Sequence, residues 1–103
     1  MGLDVPEKLI DVVNYQTGSI VSKVLEKSDS GSVTVFAFGQ GQDLSEHTAP
    51  FNALVQILDG SAEVTVGEKI HIVSAGEALT LPANVPHALR AQIDFKMLLI
   101  MVK

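Results

Sequence analysis

The chain has no cysteine, no tryptophan, one tyrosine and four phenylalanines. Without cysteine there is no disulfide, no thiolate metal ligand and no thiol nucleophile. Tyr15, Phe36, Phe38, Phe51 and Phe95 are too sparse to form a surface on which bases stack. Basic residues are also few: 7 Lys and Arg against 12 Asp and Glu give a formal charge of −5. Lys8, Lys23, Lys27, Lys69, Arg90, Lys96 and Lys103 are scattered, so a phosphate backbone meets repulsion and no basic cluster. Nucleic acid is therefore set aside as a partner. The apolar run at residues 97–102 falls far short of the ~18 needed to span a bilayer as a helix, so no membrane partner is expected. The first residues, Met1 to Glu7, lack the basic-then-apolar pattern of a secretory leader, and the expected location is cytoplasmic.

What is present is apolar substance. Hydrophobic residues make up 47% of 103 residues, enough for one domain with a sizeable core. The division read from the pattern is a single domain over residues 1–103, with an N-terminal arm or short helix at 1–19 and a β body at 20–103. In the arm, Asp4 and Glu7 stand in capping-box positions, Pro6 suits a first turn, and Leu9, Ile10 and Val13 share a face. This predicts a short helical turn, too short to be stable alone and lying across something larger.

After Gly18 short apolar runs alternate with turn residues. They fall at 20–26, 33–38, 53–58, 62–66, 70–73, 79–81, 88–93 and 96–102. Turns recurring every 8–12 residues or so indicate a sandwich or barrel rather than alternating strands and helices. The Asp59-Gly60 pair predicts a hairpin turn, and the 67–69 segment another. The runs at 53–58 and 97–102 are apolar on both faces, which calls for a second covering layer. In so small a chain the expected source of that layer is a second subunit, making a homodimer.

Two stretches carry the sites. The first spans residues 41–60, with Gly41, His47, Ala49, Ala53 and Gly60. The second spans 76–91, with Gly76, Pro82, Asn84, Pro86, His87 and Ala91. In order and spacing they resemble the two-part signature of the cupin family, in its small, single-domain, conserved-barrel form. The resemblance covers roughly residues 32–103. It implies an all-β fold: an antiparallel jelly-roll β-barrel, or double-stranded β-helix, preceded here by the short N-terminal helical turn. It also implies a metal site. Of the family's metal ligands, however, only His47 and His87 are present. Ala49 stands where the family has a second histidine, Ala53 where it has a glutamate, and Asn84 where it has a glycine. Asn84 is a mild change, because asparagine tolerates left-handed backbone.

By the resemblance, His47 and His87 lie side by side at the mouth of the barrel pocket. A catalytic transition-metal site commonly takes three protein ligands and a structural one four. Two imidazoles imply a weak or absent site, with a loosely held divalent ion (Zn, Ni, Fe or Mn) as the cofactor in question. Asp43 falls in a segment read as loop, and Glu46 alternates away from His47, so neither replaces the missing carboxylate. His71 is away from both motifs and is read as structural. The expected pocket walls are Ala49, Ala53, Val55, Ile57, Leu79, Leu81 and Leu89, with Phe36 or Phe38, Met97 and Met101 beside them. Mostly apolar walls with few polar anchors are the general character of a small-molecule site.

Other chemistries find no support. Ser45 and Ser61 lack a nucleophile-elbow context, Gly39 and Gly41 open no helix that would cradle phosphate, and no second inward acid completes a carboxylate pair. No catalytic residue is assigned, and three readings remain. The first is a small-molecule-binding barrel in which the two imidazoles donate hydrogen bonds to a carboxylate or carbonyl. The second is a metal-dependent oxygenase or isomerase using His47 and His87 with water or substrate as further ligands. The third is a structural or regulatory interaction protein with a filled barrel.

Overall fold

A computed structural model describes residues 3–103. Nine strands and a single 3-10 turn, Leu9–Asp11, occur among the described residues: β1 (Ile20–Ser28), β2 (Gly31–Phe38), β3 (Asp43–His47), β4 (Asn52–Asp59), β5 (Ser61–Val66), β6 (Lys69–Ser74), β7 (Ala78–Leu81), β8 (His87–Arg90) and β9 (Phe95–Val102). The β-branched and aromatic residues of β2 and the long apolar residues of β9 suit a pleated, buried surface. The strands form a five-stranded sheet, in the order β1-β2-β9-β4-β7, and a four-stranded sheet, in the order β3-β8-β5-β6. Every pairing is antiparallel. The two sheets close face to face as a jelly roll. No helix among the described residues is long and apolar enough to cross a membrane.

Between the sheets lies one apolar cluster to which both contribute: Phe38, Val55, Ile57 and Met97 from the larger, Val64 and Leu89 from the smaller. Phe38 and Phe95 are register partners on β2 and β9, and their rings stack at 4.5 Å between centroids.

The outer face of the larger sheet carries a second cluster, built on Leu25, Val35, Ala37 and Leu98. Its cover is the N-terminal arm, through Leu3, Leu9, Val12 and Val13. The arm thus supplies within the chain a second layer of the kind that the two-sided strands call for from a partner subunit. Polar contacts pin it. The buried Lys96 donates to the carbonyl oxygen of Ile10 at 2.6 Å and lies 4.9 Å from the Tyr15 ring centroid. Tyr15 in turn donates its hydroxyl to Asp59 Oδ2 at 2.6 Å. Burial, and then the bond to the Asp59 carboxylate, hold the Tyr15 phenol above its ordinary pKa, so it remains a donor.

Three sequence expectations change. The arm makes the expected short helical turn, as a 3-10 turn, but not capped by Asp4: the residue before the turn is Lys8, extended and with no side-chain cap. Its conformation follows the sheet it covers. The segment containing Asp43 is strand β3, not loop. Asp59-Gly60 does not make a hairpin, because β4 and β5 belong to different sheets. It is a corner where the chain crosses from one sheet to the other, and the positive φ that favours a hairpin turn serves the corner equally. Gly60 has φ +72°, and a β-carbon there would collide with the Asp94 carbonyl oxygen.

Replacing Gly60 by alanine is therefore expected to cost more than the ~1–3 kcal/mol of a left-handed residue alone, because a backbone collision is added. Gly76→Ala is the control: its φ is +88° but it faces open space. It should cost only that left-handed penalty of about 1–3 kcal/mol. Urea unfolding of the two variants measures the difference.

Candidate functional site

Strands β3 and β8 bring the two motif histidines together. Their register runs Asp43↔Arg90, Leu44↔Leu89, then slips before His47↔His87. The extra residue on β3 is a bulge, and it changes the alternation so that Leu44 and His47 both face the interior. On the other side His87 pairs with Val66 of β5. The turn before His87 is tied down by three bonds. Asn84 N–H donates to the Ala49 carbonyl at 2.8 Å, Ala83 N–H to Asn52 Oδ1 at 2.8 Å, and Gly67 N–H to the Pro86 carbonyl at 2.7 Å. Asn84 has φ 63°, the left-handed backbone that asparagine tolerates.

The rings meet edge to face, 4.3 Å between centroids at 71°. Their Nε2 atoms stand 3.1 Å apart. His47 Nδ1 bonds the Ser45 carbonyl at 2.8 Å, and His87 Nδ1 bonds the Val85 carbonyl at 3.2 Å. A carbonyl oxygen only accepts, so each Nδ1 carries its ring's hydrogen and each Nε2 presents a lone pair. His87 is buried, and that burial holds its pKa below the ordinary value. Its backbone bond to Val85 works against this, and the neighbouring His47 adds to it.

The pair borders a cavity of about 150 Å³. Of the expected walls, Ala49, Ala53, Val55, Leu81 and Leu89 line it, as do Met97 and Met101. Ile57, Leu79, Phe36 and Phe38 do not. Ile57 and Phe38 are fully buried core, with Leu79 and Phe36 packed against that core. The cavity occupies only the histidine end of the barrel, and facing inward is not enough to reach it. Leu44, Phe51 and Leu99 also line it, beyond the expected set. Leu99 is legible from its alternation with Met97 and Met101, whereas Leu44 is hidden by the bulge and Phe51 by the irregular segment after Pro50.

The remaining candidates stand elsewhere. Asp43 borders a groove with Glu63 and Arg90, apart from the cavity. Glu46 is exposed, and His71 lies on the edge strand β6 opposite Val64. Among the described residues no three His, Cys, Asp or Glu side chains gather where they would hold a metal ion. The residues present do not fit the histidine-and-carboxylate centre that the resemblance implies.

A protein-family model described as "Cupin domain" matches residues 34–103. No curated protein matches the chain. Among solved structures, the chain is similar to a conserved protein of unknown function from Streptococcus pyogenes. That match has 33% identity and a TM-score of 0.94, over 100% of this chain and 90% of that one. It is similar to a cupin superfamily protein from Desulfitobacterium hafniense at 26% identity and TM-score 0.92, over 99% and 94% of the two chains. It is also similar to a cupin 2 conserved barrel domain protein from Leptotrichia buccalis, with 46% identity and TM-score 0.88. There the match covers 91% of this chain but 46% of the other.

The cavity beside Ala53 makes a direct stability prediction. Ala53→Leu places added methylene and methyl groups in free space and should stabilise the fold by about 1–2 kcal/mol. A site already full would instead be overpacked and lose about 1–3 kcal/mol. The denaturant midpoint at constant slope distinguishes the two.

Proposed function

The chain belongs to the cupin domain family, and from that premise we propose that its barrel binds a small organic molecule with an apolar body and one hydrogen-bond-donating head. The observation that carries this reading is a hydrocarbon-walled cavity with a bare Nε2 pair at one edge. The volume sets the size of the body: a cavity of about 150 Å³ lined by hydrocarbon accepts benzene. The head follows from the tautomers. Both Nδ1 hydrogens are committed to backbone carbonyls, so the neutral pair accepts a hydrogen bond rather than donating one to a carboxylate or carbonyl. A hydroxyl or N–H on the guest meets that requirement. Open space of this size speaks against a filled, purely structural barrel. The missing carboxylate, with Ala53 in its place, leaves the oxygenase or isomerase reading with His47 and His87 alone to support it.

Exposed apolar residues support pairing of two copies as part of the same proposal. Leu54 and Val102 lie on the outer face of the larger sheet, 39% and 60% exposed, outside the cluster that the arm covers. Analytical ultracentrifugation is expected to give a dimer that Leu54→Lys converts to monomer. A monomeric wild type would remove this part.

Ligand binding is tested by calorimetry on metal-free protein with phenol, toluene and benzene. All three should bind, with phenol favoured by up to about tenfold, the worth of one hydrogen bond of about 1.4 kcal/mol. The double variant His47→Ala/His87→Ala should lose the preference, and Ala53→Leu should weaken all three. Absence of binding by every probe, or a phenol preference that survives the double variant, would count against the reading.

A further inference from the structure

The two sheets end in the edge strands β1 and β7, and β3 and β6. Edge strands are ordinarily kept from pairing by bulges, charged side chains or shortness. β1 has a bulge between Val24 and Glu26 and bears Lys23, Glu26 and Lys27. β3 has a bulge before His47 and bears Asp43 and Glu46. β7 is 4 residues long. β6 has none of these protections beyond its first residue, Lys69: it runs for 6 residues in unbroken register with β5. Its Ile70 and Ile72 are 65% and 59% exposed on the outer face of the sheet, while His71 and Val73 turn inward opposite Val64 and Ala62.

The ladder between β5 and β6 fixes which backbone groups face this edge. The two strands are joined by the turn Gly67-Glu68, with Gly67 at φ +62°. The residues flanking such a two-residue turn, Val66 and Lys69, exchange both backbone hydrogen bonds. Alternate pairs do the same: Val64 with His71, and Ala62 with Val73. Ile70, Ile72 and Ser74 therefore direct their N–H and C=O groups away from β5. At Ser74 both groups are taken, since its N–H donates to Glu77 Oε1 at 2.8 Å and its carbonyl oxygen accepts from Glu77 N–H at 2.9 Å. Among the described residues nothing bonds Ile70 or Ile72 on that side. The open stretch is thus symmetric about His71.

That symmetry makes the edge its own complement. A twofold axis through His71 sets Ile70 of one copy opposite Ile72 of a second, and the reverse. Each such pair exchanges both backbone bonds, so every N–H and C=O left open at these two residues is used. The isoleucines of both copies then lie in cross-strand apolar pairs on one face. We propose that the β6 edge is a contact between two copies of this chain, in which their smaller sheets join antiparallel through His71 as one continuous sheet. The contact is separate from the cavity and from the larger-sheet face that carries Leu54 and Val102. Its small area places it in the weak class, so it forms in concentrated protein and links pairs that the larger sheets hold.

Because the chain has no cysteine, an introduced thiol reports the contact directly. His71→Cys sets two thiols opposite each other in a non-hydrogen-bonded pair, where Cα atoms about 4.5 Å apart allow a disulfide to close. Mild oxidation at about 1 mM protein, the range of a weak Kd, is expected to give a covalent dimer on a denaturing gel. That readout is the same whether or not the larger sheets pair. Val24→Cys, exposed on the edge strand β1, should crosslink roughly tenfold more slowly, because no pairing holds its thiols in that geometry.

Sedimentation supplies the second measurement. Leu54→Lys, expected to be monomeric when dilute, should rise toward twice the monomer mass as its concentration approaches about 1 mM. Leu54→Lys/Ile72→Lys adds a charge at an exposed position on the edge and should stay monomeric throughout, with circular dichroism confirming that it is folded. Crosslinking of His71→Cys no faster than that of Val24→Cys would overturn the proposal. So would a mass for Leu54→Lys that does not rise, or a rise that persists in the folded double variant.

Discussion

The structure depends on strand β9 being buried on both faces. It lies at the centre of the larger sheet, between β2 and β4. Phe95, Met97, Leu99 and Met101 alternate inward to the core and cavity, while Lys96, Leu98 and Ile100 alternate outward beneath the arm. A strand so placed ties the two faces together: the residues that anchor the arm sit one position away from those that line the site. The lysine on this strand is tolerated because its ammonium group reaches a carbonyl oxygen and an aromatic face instead of being left unpaired.

The site itself is shaped by subtraction. With alanine at positions 49 and 53, the mouth of the barrel has neither the bulk nor the negative charge that a histidine and a glutamate would bring. What remains is neutral: two imidazoles whose protonation pattern is dictated by backbone carbonyls, hydrocarbon walls, and two thioethers on the opposite sheet. The proposed guest, a small donor-bearing organic molecule, follows from that neutrality. Its hydroxyl or N–H donates to an imidazole lone pair without bringing a charge that the cavity would have to compensate.

Much of this is legible in the order of residues, and the failures have definite causes. The motif landmarks and the turn-rich pattern point to an antiparallel barrel, and the backbone has that architecture. Asn84 is a residue that tolerates left-handed geometry, and it adopts it. Asp59-Gly60 misleads because a glycine at positive φ reports a sharp change of direction, not which strand lies on the far side. Leu44 escapes notice because a bulge breaks the period-two rule by which inward residues are counted. Ile57 and Leu79 do point inward, but periodicity gives the face and not the depth, and the cavity ends short of them.

Sequence alone determined the fold class, the family resemblance, the two histidines that would meet and the two alanines that would leave space, because these are matters of residue identity and spacing. Tertiary structure decided the rest. It showed that the arm, residues of low sequence contrast, covers the second face of β9. It showed that the Nδ1 atoms are spent on carbonyls, so that the Nε2 lone pairs converge. It also placed Met101 beside Ala53 at the same cavity. The physical reason is common to all three. Each depends on how separate segments of the chain are set against one another, and that geometry exists only once strand register and the closure of the two sheets have been fixed.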